Sequence, residues 1–513
     1  LGSSDRIWKW IFILGCCISS LLTVIPGRSP AIDEEFFKAA GQHWAATGQF
    51  VAPEIIGRIE VKPGLDEIYF AQPPGYTFLF GVYTKVVGFG PLRCILFDVL
   101  IHLLLVLLTI LLARRLFHVP PAYAYAIGTF LLTIATVGRP DELAMGIGIL
   151  GILAWTLDIS PSRRAILSGI AFGICGSTSV GVFLFFSIMA FLVGYQYKAL
   201  RISTFLLAIV SGAIVACCCV APILISHPDA YMQLLVHASV QSPELGEAVD
   251  AGQSRVAGIL HSYVGGARSV VVLHSAIVFT ILGALGVIAL CMPKAKSDHA
   301  RMLRQCVWLA IGELIFEWLL LPGKATYLWF FAPWLLSIAA AYWVQLLPER
   351  RARLRIPVAA VVVVCGGIVV LQYAKDRASV LLAPKDQSFT ANMDRVRALI
   401  PAGSTVVTLE YWWALADKCK VLDPDFSHPN PIVADYYIET GNGAGKPGTP
   451  LKIQDYYEDY ARDHKFVVIE NDLNKTAPHI AGIRIANSAY GFGPLVLANP
   501  ETTGHTAMSP EVH

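Results

Sequence analysis

Charge is what this sequence lacks most. Only 15% of its 513 residues are Asp, Glu, Lys or Arg, against roughly 25% in an ordinary soluble domain. With 55% of the residues hydrophobic, water is not the main solvent of such a chain. The charges nearly cancel, at a formal +2, which removes any bulk electrostatic reason to expect nucleic acid or an acidic polymer as partner. A disulfide framework is missing too. Nearly all of the eleven cysteines sit inside apolar runs, among them Cys16, Cys17, Cys94, Cys175 and the triplet Cys217, Cys218 and Cys219, and only Cys419 falls in clearly polar sequence. None stands with histidine at zinc-ligand spacing, and no internal repeat is present. The first apolar run, 7–25, is followed by Pro26, Gly27 and Arg28 without a small-residue cleavage pattern, so it reads as a retained anchor.

Long apolar runs are abundant. A hydrocarbon core about 30 Å thick takes about 20 apolar residues as helix. Runs near that length predict spans at 7–25, 93–113, 121–138, 142–158, 165–177, 179–196, 202–225, 269–292, 305–321, 326–346 and 356–373. The sequence thus predicts an α-helical polytopic membrane protein with about 11 transmembrane helices. The pair within 165–196 also fits one long or broken helix.

Orientation follows from the lysine and arginine bias of short loops. With a cytoplasmic N-terminus, alternate loops carry Arg114 and Arg115, then Arg163 and Arg164, then Lys198 and Arg201. Next come Lys294, Lys296, Arg301 and Arg304, and last Arg350, Arg351, Arg353 and Arg355. Every basic group then lies inside. The alternation requires that 73–88, which opens on Pro-Pro and carries Lys85, lie along the outer interface as a helix rather than cross. A first loop, 26–92, a second, 226–268, and everything beyond about residue 372 then face outward. The tail is different material. Short β-rich runs at 404–409, 465–469 and 494–497, with a helical stretch at 393–400, predict a small C-terminal α/β extracytoplasmic domain over 374–513, after a transmembrane domain over 5–373. The Gly- and Pro-rich 441–450 is a loop.

Ionisable residues on the outer face carry the candidate chemistry, because charge at membrane depth is costly and usually functional. Asp33, Glu34 and Glu35 follow the first span, and Phe36, Phe37, Ala40 and Trp44 give them an apolar side at helical spacing. Asp141 and Glu142 open a second helix after Arg139 and Pro140. Either acidic pair alone is accounted for by stabilisation of a helix dipole; two on one face point jointly to a site. Lys324, in a short outer loop before Tyr327, stands where an anionic headgroup would sit, and its plain alternative is a snorkelling lysine. Transfer of a sugar from a polyprenyl phosphate to a hydroxyl needs a base for the proton and a cation for the departing phosphate. Carboxylates supply the first, and Lys or Arg the second.

Three passages carry a family likeness. The first is Asp33-Glu34, with Thr47-Gly48-Gln49-Phe50, Pro53-Glu54 and Gln72-Pro73-Pro74-Gly75-Tyr76 through Gly88-Phe89-Gly90. The second is Arg139-Pro140-Asp141-Glu142, and the third is Lys324 to Tyr327 with Pro333. At these residues, over about 5–345, the chain resembles the GT-C glycosyltransferases, in particular bacterial members related to the protein O-mannosyltransferases and the lipid A aminoarabinose transferase. The resemblance implies an inverting transfer of a monosaccharide from a polyprenyl-phosphate-linked donor to a hydroxyl of lipid A, a glycan, a glycolipid or a protein. It places the protein in the bacterial cytoplasmic (inner) membrane, with the C-terminal domain periplasmic or extracellular. Asp33 would be the first-loop acid that acts as base or positions the acceptor, Glu34 its helper and Asp141 the second acid, while Lys324, Arg139 and Tyr327 would meet the donor phosphate. One departure stands out: Gln72-Pro73-Pro74 occupies the place of a Lys-Pro-Pro in the aminoarabinose transferase type, and Arg58 or Lys62 would have to supply that charge. Some relatives bind a divalent cation through acidic pairs, so Mg²⁺ or Mn²⁺ on Asp33 and Asp141 is a further implication, although members with single-sugar lipid donors often need none.

Two alternatives stay open. A lipid-linked sugar translocase would place its charges along an interior path, and a polysaccharide ligase or polymerase would rely on an Arg/His-rich outer loop. His43, His227 and His237 are better read as surface or packing residues than as ligands. Glu244, Glu247, Asp250, Arg255, His261 and Arg268 make the second loop a solvated segment or a cover for the donor. Tyr411, Trp412 and Trp413 are core aromatics before they are a sugar-stacking platform. Glu313 and Glu317, four apart, face one side of a predicted span.

Overall fold

The computed structural model describes residues 3–24, 34–52, 73–133, 138–197, 201–226, 228–229, 304–308, 312, 332–341, 367, 371, 373–374, 389–408, 411–422, 434–440, 467–471, 479–480, 483–484 and 494–504. Its described N-terminal elements are all helices: α1 (Ser3–Val24), α2 (Glu34–Thr47), α3 (Gly75–Val87), α4 (Pro91–Arg115), α5 (Pro121–Leu131), α6 (Pro140–Ala154), α7 (Pro161–Gly176), α8 (Val180–Gln196) and α9 (Ile202–Ser226). A further apolar helix, α10, spans Ala332–Ala341.

Local sequence explains the punctuation. Proline occupies the first turn of α4, α5, α6 and α7, where its missing N–H costs nothing and its fixed φ is already helical. Arg114 and Arg115 close α4, where cations oppose the dipole's negative end. Helix α2 stops at Gly48, whose φ of 83° suits the left-handed turn that ends many helices. The uncertain segment 165–196 is two helices, α7 and α8, parted at Ser177–Ser179.

Among the described residues, three helices are long and apolar enough to cross a membrane: Asp5–Val24, Pro91–Arg115 and Ile202–Ala221. Their outer sides present large apolar groups, such as Trp10 in α1, Leu100 and Leu107 in α4, and Ile202 and Ile214 in α9, all exposed. Aliphatic surface on that scale is stable against lipid rather than water, and the protein is a membrane protein. Helix α3, at 13 residues, reaches only about 20 Å and is too short to cross. It buries Tyr76, Thr77, Phe80, Gly81 and Thr84 and leaves Phe78, Leu79 and Val86 exposed.

Small residues bring the helices together. A Cβ on Gly169 would lie 2.3 Å from the Ala208 carbonyl oxygen, and one on Gly173 would lie 2.5 Å from that of Gly212, so α7 and α9 touch backbone to backbone. Such contacts are how helices associate where lipid removes the hydrophobic drive. Helices α2 and α3 cross the same way, since a Cβ on Gly41 would stand 2.2 Å from Thr77 O.

The C-terminal part adds α11 (Phe389–Leu399), β1 (Thr405–Val407), α12 (Trp412–Leu415), β2 (Lys420–Leu422), β3 (Tyr436–Thr440), β4 (Val467–Asn471), β5 (His479–Ile480), β6 (Ile483–Arg484), β7 (Pro494–Ala498) and α13 (Pro500–Thr503). Five strands form a mixed sheet in the order β2-β1-β3-β7-β4. Strands β2, β1 and β3 are parallel, while β7 runs antiparallel to β3 and β4. Two braces hold α11 to the turn after α12. Arg397 grips Asp417 with both terminal nitrogens, and Lys418 donates to the carbonyls of Arg397 and Ile400. Apolar residues of α11, α12 and the sheet share one core with α2, α3 and α4: Met393, Val396, Trp412 and Val406 pack with Phe37, Tyr76, Phe80 and Phe97. The C-terminal part is therefore seated directly on α2, which carries one of the acidic turns, and on α3 and α4.

Candidate functional site

The two acidic helix starts of the sequence are neighbours through Phe37 of α2 and Arg139, the residue before α6. Glu34, the first residue of α2, is fully buried. Its carboxylate accepts a hydrogen bond from Lys38 Nζ, one turn later, at 2.9 Å. The same ammonium donates to Asp98 Oδ2 of α4 at 2.8 Å, and it lies over the rings of Trp413, at 5.0 Å, and Phe80, at 5.7 Å. Lys38 is 0% exposed and Asp98 2%. Charges taken this far from water persist only when paired and hydrogen-bonded, and here a cation stands between two carboxylates with aromatic faces on its flanks.

The network runs on to α6. The Tyr76 hydroxyl of α3 lies 3.1 Å from Asp98 Oδ1 and 2.9 Å from Gly138 O, its one hydrogen serving both acceptors. Gly138 directly precedes Arg139, the extended residue (φ −102°, ψ 152°) that leads into α6. Arg139 lies 3.4 Å from Asp141 Oδ2 through Nε, and its guanidinium stacks at 5.8 Å over Phe37 of α2. Asp141 is buried in the first turn of α6 and accepts a hydrogen bond from Ser179 Oγ at 2.9 Å. Glu142, also buried, approaches His102 Nδ1 at 3.4 Å, while His102 Nε2 lies 3.2 Å from Leu131 O. A second carboxylate oxygen, Glu142 Oε1, has no hydrogen-bond partner among the described residues.

The sequence-derived site residues thus divide into two groups. Glu34, Arg139 and Asp141 lie among the described residues, and the Arg139 guanidinium over Phe37 is a direct contact between the residue that leads into α6 and α2. Asp33, Arg58, Lys62, Lys324 and Tyr327 lie outside the described residues, as do His227, His237, Glu313, Glu317 and the second-loop residues from Glu244 to Arg268. His43 is half-buried on α2. Tyr411, Trp412 and Trp413 are buried core aromatics, and Trp413 also faces Lys38.

Sequence reasoning missed Lys38, Asp98, Tyr76, His102 and Ser179. A signal existed for three of them. Asp98 and His102 are ionisable residues four apart inside an apolar run, which marks one face of a membrane helix as functional or paired, and Lys38 stands four residues after Glu34. Among the described residues no three or more His, Cys, Asp or Glu converge to hold a metal ion. Asp141 is engaged by Arg139 and Ser179, and Asp33, the other residue on which the family resemblance raises Mg²⁺ or Mn²⁺, lies outside the described residues.

Comparison with known proteins gives a fold and nothing finer. No known family pattern and no curated protein matches the sequence. Two solved structures superpose along nearly the whole length. One is ArnT from Cupriavidus metallidurans bound to undecaprenyl phosphate, at a TM-score of 0.56 and 13% identity, covering 96% of this chain and 98% of that one. The other is the same transferase in the apo state, at a TM-score of 0.55 and 16% identity, over 97% and 98% of the two chains. The oligosaccharyltransferase of Archaeoglobus fulgidus aligns at a TM-score of 0.47 and 14% identity over 81% of this chain; the chain spans only 62% of that protein's length, and the superposition is too loose to carry an argument.

Proposed function

We propose, from the GT-C fold this chain shares with ArnT, that it is a multi-pass membrane glycosyltransferase. In this reading it moves a monosaccharide from a polyprenyl-phosphate-linked donor to a hydroxyl of lipid A, a glycan, a glycolipid or a protein, on the outer face of the bacterial inner membrane. The supporting observation is that Arg139, which leads into one acidic helix start, rests on Phe37 in the first turn of the other. Fold alone does not fix chemistry, and it is this pairing of carboxylates with a guanidinium that suits the reaction.

The reaction is a single displacement. The acceptor oxygen bonds to the anomeric carbon as the bond from that carbon to the phosphate oxygen breaks, and the electron pair leaves with the polyprenyl phosphate. One displacement inverts the anomeric configuration. The acceptor proton passes to a carboxylate, for which Asp33 is the assigned base, with Glu34 and Asp141 completing the acidic group. Glu34 and Asp141 are held in fixed directions by Lys38 and by Ser179 with Arg139, so little reorganisation is needed as charge develops. Arg139, with 27% of its side chain exposed, is the cation of the described site that can still reach a phosphate. Lys324 and Tyr327, with Arg58 or Lys62 in place of the missing first-loop lysine, complete the phosphate contacts. About 11 spans, a cytoplasmic N-terminus and an extracytoplasmic α/β domain over 374–513 belong to the same reading.

The test is direct. Purified protein in nanodiscs is given a panel of radiolabelled undecaprenyl-phosphate monosaccharides with lipid A, glycolipid and peptide acceptors. At least one donor should be consumed, and Asp33→Asn and Asp141→Asn should each abolish transfer while undecaprenyl phosphate still binds. Full turnover by both variants, or no transfer from any donor, would overturn the reading.

A further inference from the structure

The described residues contain a physical connection between the two acidic turns that the family resemblance does not supply. It begins at Glu34 in the first turn of α2, passes through Lys38 Nζ at 2.9 Å to Asp98 at 2.8 Å, and through Asp98 to the Tyr76 hydroxyl at 3.1 Å. It ends at Gly138 O, 2.9 Å from that hydroxyl and one residue before Arg139. Every side chain in it is buried to 2% exposure or less. Four elements contribute: α2, α3, α4 and the turn at Gly138, φ 63°, that leads into α6. A fifth, α12, closes the chain from above with the Trp413 ring 5.0 Å from the Lys38 ammonium.

Simple bracing of the fold would not need this. The α2–α3 crossing is already fixed by backbone contact at Gly41 and Gly81, and α3 is anchored independently where Gly75 N–H donates to Ser177 O at 2.7 Å. A buried ammonium between two carboxylates is, moreover, a poor way to gain stability, since well-packed apolar groups of similar volume commonly do as well or better. What such a group does provide is direction. Lys38 sets the Glu34 carboxylate, and with it the start of α2, against Asp98. Tyr76 sets Asp98 against the peptide that carries Arg139 and Asp141.

We propose that Lys38, Asp98 and Tyr76 form a positioning relay that holds the α2 and α6 acidic turns at the separation sugar transfer requires, with Trp413 of the C-terminal part as its lid. The relay touches neither donor nor acceptor in this account; it acts through Glu34 and Arg139–Asp141. The inference rests on the transferase reading above. It also gives the C-terminal part a role, because the wall over Lys38 is built from α12.

Tyr76→Phe is the sharpest test, since it deletes one hydroxyl and keeps the ring that packs between Phe37 and Phe97. Transfer is measured with whichever labelled undecaprenyl-phosphate sugar the wild type consumes, and binding is measured separately with undecaprenyl phosphate alone. A displacement of reacting groups by about 1 Å can cost on the order of 100-fold in rate. The relay therefore predicts a kcat lower by about 10- to 100-fold, with the affinity for undecaprenyl phosphate and the KM for donor within about twofold of wild type. Lys38→Arg, which keeps a cation, should retain more kcat than Lys38→Met. Hydrogen exchange supplies a readout that needs no substrate: in Tyr76→Phe the amides of 34–38 and of 138–142 should both exchange faster. A wild-type kcat in Tyr76→Phe, or faster exchange at only one of the two turns, overturns the relay and leaves the transferase reading standing. A wild-type protein that consumes no donor overturns that reading, and the relay's catalytic role with it.

Discussion

Replacing Lys38 by methionine isolates what the buried ammonium does for stability. Methionine keeps most of the unbranched stem and fills nearly the same volume, so the packing against Phe80 and Trp413 should change little. The charge is what goes. Glu34 and Asp98, at 0% and 2% exposure, are left as buried carboxylates without the cation now 2.9 Å and 2.8 Å from them. Removing one partner of a buried ion pair costs about 3–5 kcal/mol, because the remaining charge stays desolvated. Neutralising the group as a whole should cost far less. The triple variant Lys38→Met/Glu34→Gln/Asp98→Asn leaves no net charge, and its amides still offer Tyr76 a hydrogen-bond partner. The assay is the fraction of monodisperse protein surviving a graded heat step in detergent, a kinetic stability that suits a protein of this size better than an equilibrium midpoint. Lys38→Met should survive least, and the triple variant should recover most of the loss. A single variant as durable as the wild type, or a triple variant no better than the single one, would refute the account of the network as a desolvated group in which the Lys38 ammonium offsets buried carboxylates.

Other outcomes are expected elsewhere. Gly169→Ala puts a methyl 2.3 Å from Ala208 O and 2.0 Å from Ser211 Oγ, so it should push α7 from α9 and cost about 1–3 kcal/mol; Gly181→Ala, with nothing within 4 Å of its Cβ, should be neutral or slightly stabilising in the same heat assay. Lys324→Ala should chiefly raise the KM for donor, and a change confined to acceptor affinity would count against its assignment to the phosphate. In a variant cleared of its native cysteines, single cysteines at Thr47 and Asn442 should react with an impermeant maleimide added outside cells, and one at Ser297 should not; the opposite pattern would invert the proposed topology. In the unaltered chain Cys419 should label slowly, because burial pushes its thiol above the ordinary range and thiolate is the reactive form.

Much of the fold was legible because lipid imposes simple rules. Length and apolar content mark α1, α4 and α9, and the expected starts of α4 to α7, at 93, 121, 142 and 165, fall within four residues of Pro91, Pro121, Pro140 and Pro161. The strands β1, β4 and β7 coincide with short β-rich runs. Strands β2, β3, β5 and β6 were missed: β2, β5 and β6 are two or three residues long, and β3, Tyr436–Thr440, follows a polar, proline-rich stretch with no clear alternation. The site was legible in a different way. Paired carboxylates at two helix starts could be read directly, since a first turn exposes its acids as a sequence pattern. The groups that bind those starts to each other could not. Asp98 meets Lys38 across 60 residues and Tyr76 across 22, and that meeting depends on how α2, α3 and α4 cross. Trp413 was read as a core aromatic, and it is one; only the packing of α12 on α2 shows that the core it fills contains a charge.

The most direct measurement is a cryo-electron microscopy map of the protein in nanodiscs with undecaprenyl phosphate. The account requires the phosphate to lie within hydrogen-bonding reach of Arg139, with Asp33 and Asp141 lining the same cavity and the Glu34–Lys38–Asp98 group directly behind it. A phosphate bound away from Arg139, or Asp33 and Asp141 opening into separate cavities, would contradict it.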